Sequence, residues 1–210
     1  MIPPLLPKID AILVLDHEGN RLAGKYYGEF LSKPSGDQTV EALRLQFEQA
    51  LQQKIAGISA RPDAAEVVTV QGRTAVFTGG NGPDVKVVHV GSPSESELVL
   101  AYLCEGMHSA LAQLMGGSTD RSMVLDNLEL VFLLIDEHCD GGLILEVDGR
   151  KLASAVLLRD EDASASDDMG HMSHQPGLPP GVAPGDMTLT QAFRQARDQF
   201  FVGMTSRDGM

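Results

Sequence analysis

Cysteine is scarce: the 210 residues hold two, Cys104 and Cys139. They are widely spaced, have apolar neighbours and form no motif. They read as buried free thiols in a reducing compartment rather than as a disulfide or a metal pair. Cationic runs are missing as well. Lys and Arg number 16 against 29 Asp and Glu, a formal net charge of -13. An acidic surface with no long basic stretch repels nucleic-acid backbones and anionic lipid headgroups, so direct nucleic-acid binding and unaided membrane binding are not expected. No run approaches the roughly 18 apolar residues of a membrane helix. The N-terminal residues 1–7, MIPPLLP, lack both a basic region and an uninterrupted apolar run, so no signal peptide is expected. There is no repeat at a solenoid period. The cytoplasm is the expected setting.

Signatures of catalysis are equally thin. Asp136-Glu137-His138 and Asp140 suggest a metal cluster, and a metal-dependent enzyme built on Asp136 and Asp140 is one rival reading. The spacing matches neither HExxH nor an EF-hand loop. Asp136 and Asp140 share a helix face. Acids there sit poorly against the helix C-terminal dipole, so some should meet Arg or Lys from a neighbouring element. Gly79, Gly80 and Gly82 lack the lysine and following helix of a phosphate loop. His171 and His174 fall in a linker-like stretch. No catalytic, cofactor-binding or metal-binding residue is assigned, and no cofactor is expected.

What is present is a core: 43% of the residues are hydrophobic, enough for one packed domain. Residues 9–15, IDAILVL, suit a buried strand. Turn residues 16–20 and a returning strand over 21–27 complete a hairpin. Val40, Leu43, Phe47, Ala50 or Leu51, and Ile55 recur at helical spacing within 38–56, capped at Ser35 with Gln38, or at Thr39. Strands follow at 65–70, 73–78 and 84–90, with a tight turn at Gln71-Gly72 and a longer one at 79–83. The expectation is a five-stranded antiparallel sheet whose imperfect alternation points to helices over much of one face. Ser94 and Glu97 predict a capping box for a long helix across the sheet, about 31 Å if it runs for about 21 residues. Two short helices fill 119–139, stopped by Gly141-Gly142. A brief extended segment covers 143–147, Asp148-Gly149 turns the chain, and 152–158 is helix or strand.

Residues 160–187 differ. Five acids lie within 160–168, and Pro, Gly and Ser recur through the rest of the stretch, predicting a disordered linker. A terminal amphipathic helix over 188–204 carries Leu189, Ala192, Phe193, Ala196 and Phe200. The domain division is therefore 1–159, 160–187 and 188–204. Adjacent tyrosines at 26 and 27 must face opposite sides of a strand, one toward the core and one toward the surface or a partner.

Three segments carry a family resemblance: IDAILVLDHEGNRLAGKYY at 9–27, GSPSESELVLAYLCEGMHSAL at 91–111, and LDNLELVFLLIDEHCDGGLILEVD at 125–148. They resemble the zeta subunits of coatomer, within the wider clathrin adaptor complex small chain family. The resemblance covers roughly 8–160 and resumes at 188–202. It implies an α/β (α+β) longin-like fold: a five-stranded antiparallel sheet flanked by helices. It implies a non-enzymatic subunit of the COPI coat that pairs with the coatomer gamma subunit and the other coatomer subunits. That coat is recruited to Golgi membranes by a GTP-loaded Arf GTPase, for Golgi-to-endoplasmic-reticulum and intra-Golgi transport. It implies peripheral association with the cytoplasmic side of Golgi and COPI vesicle membranes. The linker is longer than usual for the family, and GGNGPD at 79–84 is a Gly-rich form of its turn. No residues declare the dileucine-signal pocket of the clathrin adaptor small chains. A sorting-signal subunit of a clathrin adaptor and a longin domain regulating a fusion protein are further rival readings. The latter class normally continues into a coiled coil and anchor. Candidate interface elements are the strand pair, the first helix and the exposed edge of the long helix. Arg21, Lys25 and Tyr27 are the candidate contacts, and Phe47 reads as core.

Overall fold

Strand β1 (Ile9–Leu15) forms where β-branched and leucine residues run without interruption, and every residue but Asp10 is buried. Such a run needs apolar cover on both faces. It lies inside a five-stranded sheet ordered β2-β1-β5-β4-β3, with β2 (Arg21–Tyr26), β3 (Glu66–Val70), β4 (Arg73–Gly79) and β5 (Lys86–Gly91), all pairs antiparallel. These strands are part of a computed structural model that describes residues 7–34, 36, 38–58, 64–79 and 85–167, with backbone alone for 160–167.

Side chains alternate along β1 and sort into two cores. Ile12 and Val14 join one, while Ala11, Leu13 and Leu15 join the other. The register irregularity between Ile9 and Ala11 lets Ile9 enter the first core out of turn. Helices therefore cover both faces, as the family resemblance implied, where imperfect alternation had pointed only to much of one face. The helix α1 (Val40–Ile55) inserts Phe47, Leu51 and Ile55 into the second core. Thr39 is its cap, accepting from the Ala42 amide at 3.1 Å. The first core is filled by α2 (Glu97–Leu114), α3 (Arg121–Asp126), α4 (Leu128–His138) and α5 (Gly149–Asp167).

Several local expectations change. Helix α2 has 18 residues, about 27 Å. It starts after Ser96, not in a box at Ser94, whose amide and hydroxyl instead meet Ser92. Gly141 and Gly142 do not simply stop α4: with φ of +57° and +87° they make the turn of a short hairpin, β6 (Cys139–Asp140) and β7 (Leu143–Ile144). Asp148 is a cap rather than a turn residue, accepting from the Arg150 and Lys151 amides at 2.9 and 3.1 Å. The ambiguous 152–158 is helix, and α5 continues to Asp167, eight residues into the stretch expected to be linker. The remainder of that stretch, the terminal helix at 188–204 and turn residues 80–84 lie outside the described residues.

Helices α2 and α5 meet backbone to backbone. A Cβ on Gly106 would collide with the Val147 carbonyl, and one on Gly149 would lie 2.7 Å from the Gly106 oxygen. Glycine at both positions permits this approach, which no other residue type allows.

Candidate functional site

The candidate contacts lie on or beside β2, an edge strand. Its pairing with β1 shifts register: Val14 faces Ala23 and Leu15 faces Arg21, leaving Leu22 as the extra residue. The bulge changes the parity of the strand. Arg21 and Tyr26 consequently turn toward α1, whereas Lys25 and Tyr27 turn toward α4. The structure does not bring the three candidates together into one patch.

On the α1 side, Glu48 is the hub. One carboxylate oxygen accepts from Arg21 at 2.8 Å and from the Tyr26 hydroxyl at 2.6 Å. The Arg44 guanidinium lies 4.6 Å over the Tyr26 ring. Burial first, then the hydrogen bond to Glu48, pushes the Tyr26 hydroxyl far above its ordinary ionisation range. Phe30 meets Phe47 edge-on at 5.2 Å, and Arg73 stacks on Phe30 at 5.1 Å while pairing with Asp10 at 3.0 Å.

On the α4 side, Lys25 pairs with Asp136. This is the basic neighbour the helix-end acids called for, and it occupies half of the supposed metal pair. Glu137 likewise meets Arg159 at 2.6 Å. Tyr27 is corrected from a surface contact to a core residue: it is 9% exposed, and its hydroxyl donates to the Cys139 carbonyl at 3.4 Å. The reason is local. Gly142 has no side chain, and a Cβ there would lie 2.7 Å from the Ile9 carbonyl oxygen and 3.3 Å from the Tyr27 Cβ, so glycine lets Tyr27 pack close. Tyr26 is the tyrosine that stays half-buried.

Both cysteines are free and buried. Burial pushes both thiols up, away from the reactive thiolate. No group of three or more His, Cys, Asp or Glu side chains among the described residues could hold a metal ion. No helix among them is long and apolar enough to cross a membrane.

Exposed apolar residues supply a binding signal instead. Helix α2 presents Leu98 (80% exposed), Val99 and Tyr102 (60%) on the edge expected to be available. Phe132 on α4 is also partly open, and Leu143 (52%) and Leu145 (61%) point outward beside buried-side Ile144. The period-two pattern of LILEV carried the signal for that last pair, which sequence reasoning missed. Sequence reasoning also missed two buried histidines. His89 and His138 lie with their Nε2 atoms 2.9 Å apart although 49 positions separate them.

Comparison with known proteins places this geometry in context. The family model described as clathrin adaptor complex small chain matches residues 8–163. Coatomer subunit zeta-2 of Arabidopsis thaliana is 32% identical over 198 residues, covering 94% of this chain and 96% of the relative. Coatomer subunit zeta-1 of Homo sapiens is 32% identical over 162 residues, 77% of this chain and 84% of the relative. Among structures, a chain in a homology model of the full-length AP-3 complex in a stretched open conformation superposes with a TM-score of 0.52 at 15% identity. It spans 77% of this chain and 98% of that one. That last likeness is of fold.

Proposed function

The chain belongs to the clathrin adaptor complex small chain family, alongside the coatomer zeta subunits, and on that premise we propose that it is a non-enzymatic subunit of the COPI vesicle coat. It acts by protein–protein binding within a hetero-oligomeric coat, in Golgi-to-endoplasmic-reticulum retrograde and intra-Golgi transport. The observation that carries this reading is the near end-to-end match to coatomer zeta-2, 94% of one chain against 96% of the other. A surface with open apolar side chains on α2, α4 and the hairpin suits a subunit that completes its burial in an assembly.

The finer reading names the coatomer gamma subunit as the direct partner and the cytoplasmic face of Golgi and COPI vesicle membranes as the place of work. The acidic charge and the lack of a spanning helix among the described residues favour attachment through the rest of the coat rather than through lipid. Arg21 and Lys25 are rim contacts on opposite faces of β2 in this reading, and Tyr27 packs beneath the Lys25 side. Stable standard-size interfaces bury about 1,600 Å² in total. Coexpression with the gamma-subunit trunk tests the assignment. A complex of one copy of each is expected on gel filtration; a chain that elutes alone at every concentration contradicts it.

A further inference from the structure

We propose that His89 and His138 form a proton-operated latch that holds the end of α4 and the β6–β7 hairpin against the central sheet. His89 projects from β5 and His138 is the last residue of α4; neither has any exposed surface. Their rings meet edge to face with centroids 5.0 Å apart. The His138 Nδ1 lies 2.7 Å from the Glu146 carbonyl oxygen. A carbonyl only accepts, so that nitrogen carries the proton. Neutral His138 then offers a lone pair at Nε2, and His89 Nε2 donates to it. The remaining His89 Nδ1 is a bare acceptor, as its lack of any partner requires.

One added proton leaves a donor unpaired wherever it lands. On His138 it sets two N–H groups against each other at 2.9 Å. On His89 it creates a buried N–H with no acceptor. Either state costs a desolvated, unpaired donor as well as a buried charge. Among the described residues no nearby carboxylate is aimed at the rings. The Glu146 carboxylate is turned to the Val147 and Asp148 amides at 2.8 and 3.0 Å and lies 3.9 Å from Lys151. Asp136 is taken by Lys25 and Glu137 by Arg159. From the other elements, α2 brings Cys104, bonded to the Val76 and Val87 carbonyls, and His108; β2 leads to Tyr27, bonded to Cys139. Burial accordingly holds both imidazoles below their ordinary range.

The latch controls a surface. The His138 carbonyl accepts from the Leu145 amide at 2.9 Å, Cys139 pairs with Ile144, and the Gly142 carbonyl accepts from Ile9 at 2.9 Å. Release loosens these ties together, and with them the outward Leu143 and Leu145.

The test is amide hydrogen exchange on the full chain at pH 7.5 and 5.5, expressed as protection factors so that intrinsic exchange rates cancel. With ordinary values near 6.5 in the open state, each ring contributes about tenfold over this interval, about 100-fold for the pair. Protection of the Leu145 amide and the last turn of α4 should fall by that factor and stay below that of β1 and β5, whose opening by global unfolding frees the same two rings. In the variant combining His89→Phe with His138→Asn, which keeps a ring on the sheet and a donor to Glu146, the fall should be under about threefold. Protection independent of pH, a hairpin protected as fully as β1 and β5 at both pH values, or a variant that responds like the parent overturns the latch. Imidazole nitrogen NMR on the unaltered chain needs no variant. It should show Nδ1–H on His138 and Nε2–H on His89 at pH 7.5; a charged ring in the folded chain at pH 6.5 overturns the proposal.

Discussion

Gly106 supports the fold by what it lacks. Its hydrogen permits the Val147 carbonyl to lie against α2, and a methyl group there has nowhere to go because the obstacle is backbone. Gly106→Ala should lower stability by about 1–3 kcal/mol, the usual cost of overpacking, as read from urea denaturation midpoints at constant slope. Half-buried Tyr26 and buried Tyr27 make a second residue-scale prediction. Both hydroxyls are held above their ordinary range, chiefly by burial. A folded value raised above the unfolded one means that the folded chain holds its protons longer. The associated stability is whole below about pH 10 and is lost as pH rises beyond it. Absorbance titration should therefore show Tyr26 and Tyr27 ionising only together with alkaline unfolding. Residue-level reading from sequence was uneven for a physical reason. Phe47 was legible as core because its spacing within α1 sets its direction. The direction of Tyr27 depended on a bulge at Leu22 and on the empty side of Gly142, and neither leaves a local pattern.

At the scale of elements, helix ends are held by single side chains. Thr39→Ala should cost about 1 kcal/mol, and Asp148→Ala a similar amount at the start of α5. Thermal unfolding of each variant beside Thr39→Ser, which keeps the oxygen, checks both. All five strands were legible in the sequence: four are runs rich in β-branched residues closed by turn residues, and β2 is legible as the return of a hairpin after the turn at 16–20. The alternation looked imperfect because a strand buried on both faces has no polar side to alternate with. The misreadings fell where tertiary contacts decide. Ser94 preferred Ser92 to a capping role, and Gly141-Gly142 became a hairpin turn because Ile9 offered its amide to Gly142. The Lys25–Asp136 pair is half-exposed at both ends, so it should contribute under about 1 kcal/mol to stability. Lys25→Glu should therefore leave the unfolding midpoint nearly unchanged while weakening capture of the coat partner; a variant that destabilises the chain but binds normally would remove Lys25 from the proposed rim.

At the scale of the molecule, the described residues form two cores on one sheet, hold their two thiols buried, contain no cluster fit for a metal, and leave leucines open on several elements. The family and the architecture were legible in the sequence, because the resembling segments coincide with β1, β2, α2 and α4. The partner-facing surface was much less so. Side chains such as His89 and His138, or Lys25 and Asp136, meet across dozens of positions, and only the folded chain brings them together. In the proposed reading the chain works as one subunit of a coat rather than alone. Affinity purification of the full chain at its native level, followed by quantitative mass spectrometry, is the decisive experiment. Coatomer subunits should be recovered in fixed proportion to the chain, the large gamma subunit among them. Recovery of the chain with no coat subunit enriched above a control purification would contradict it.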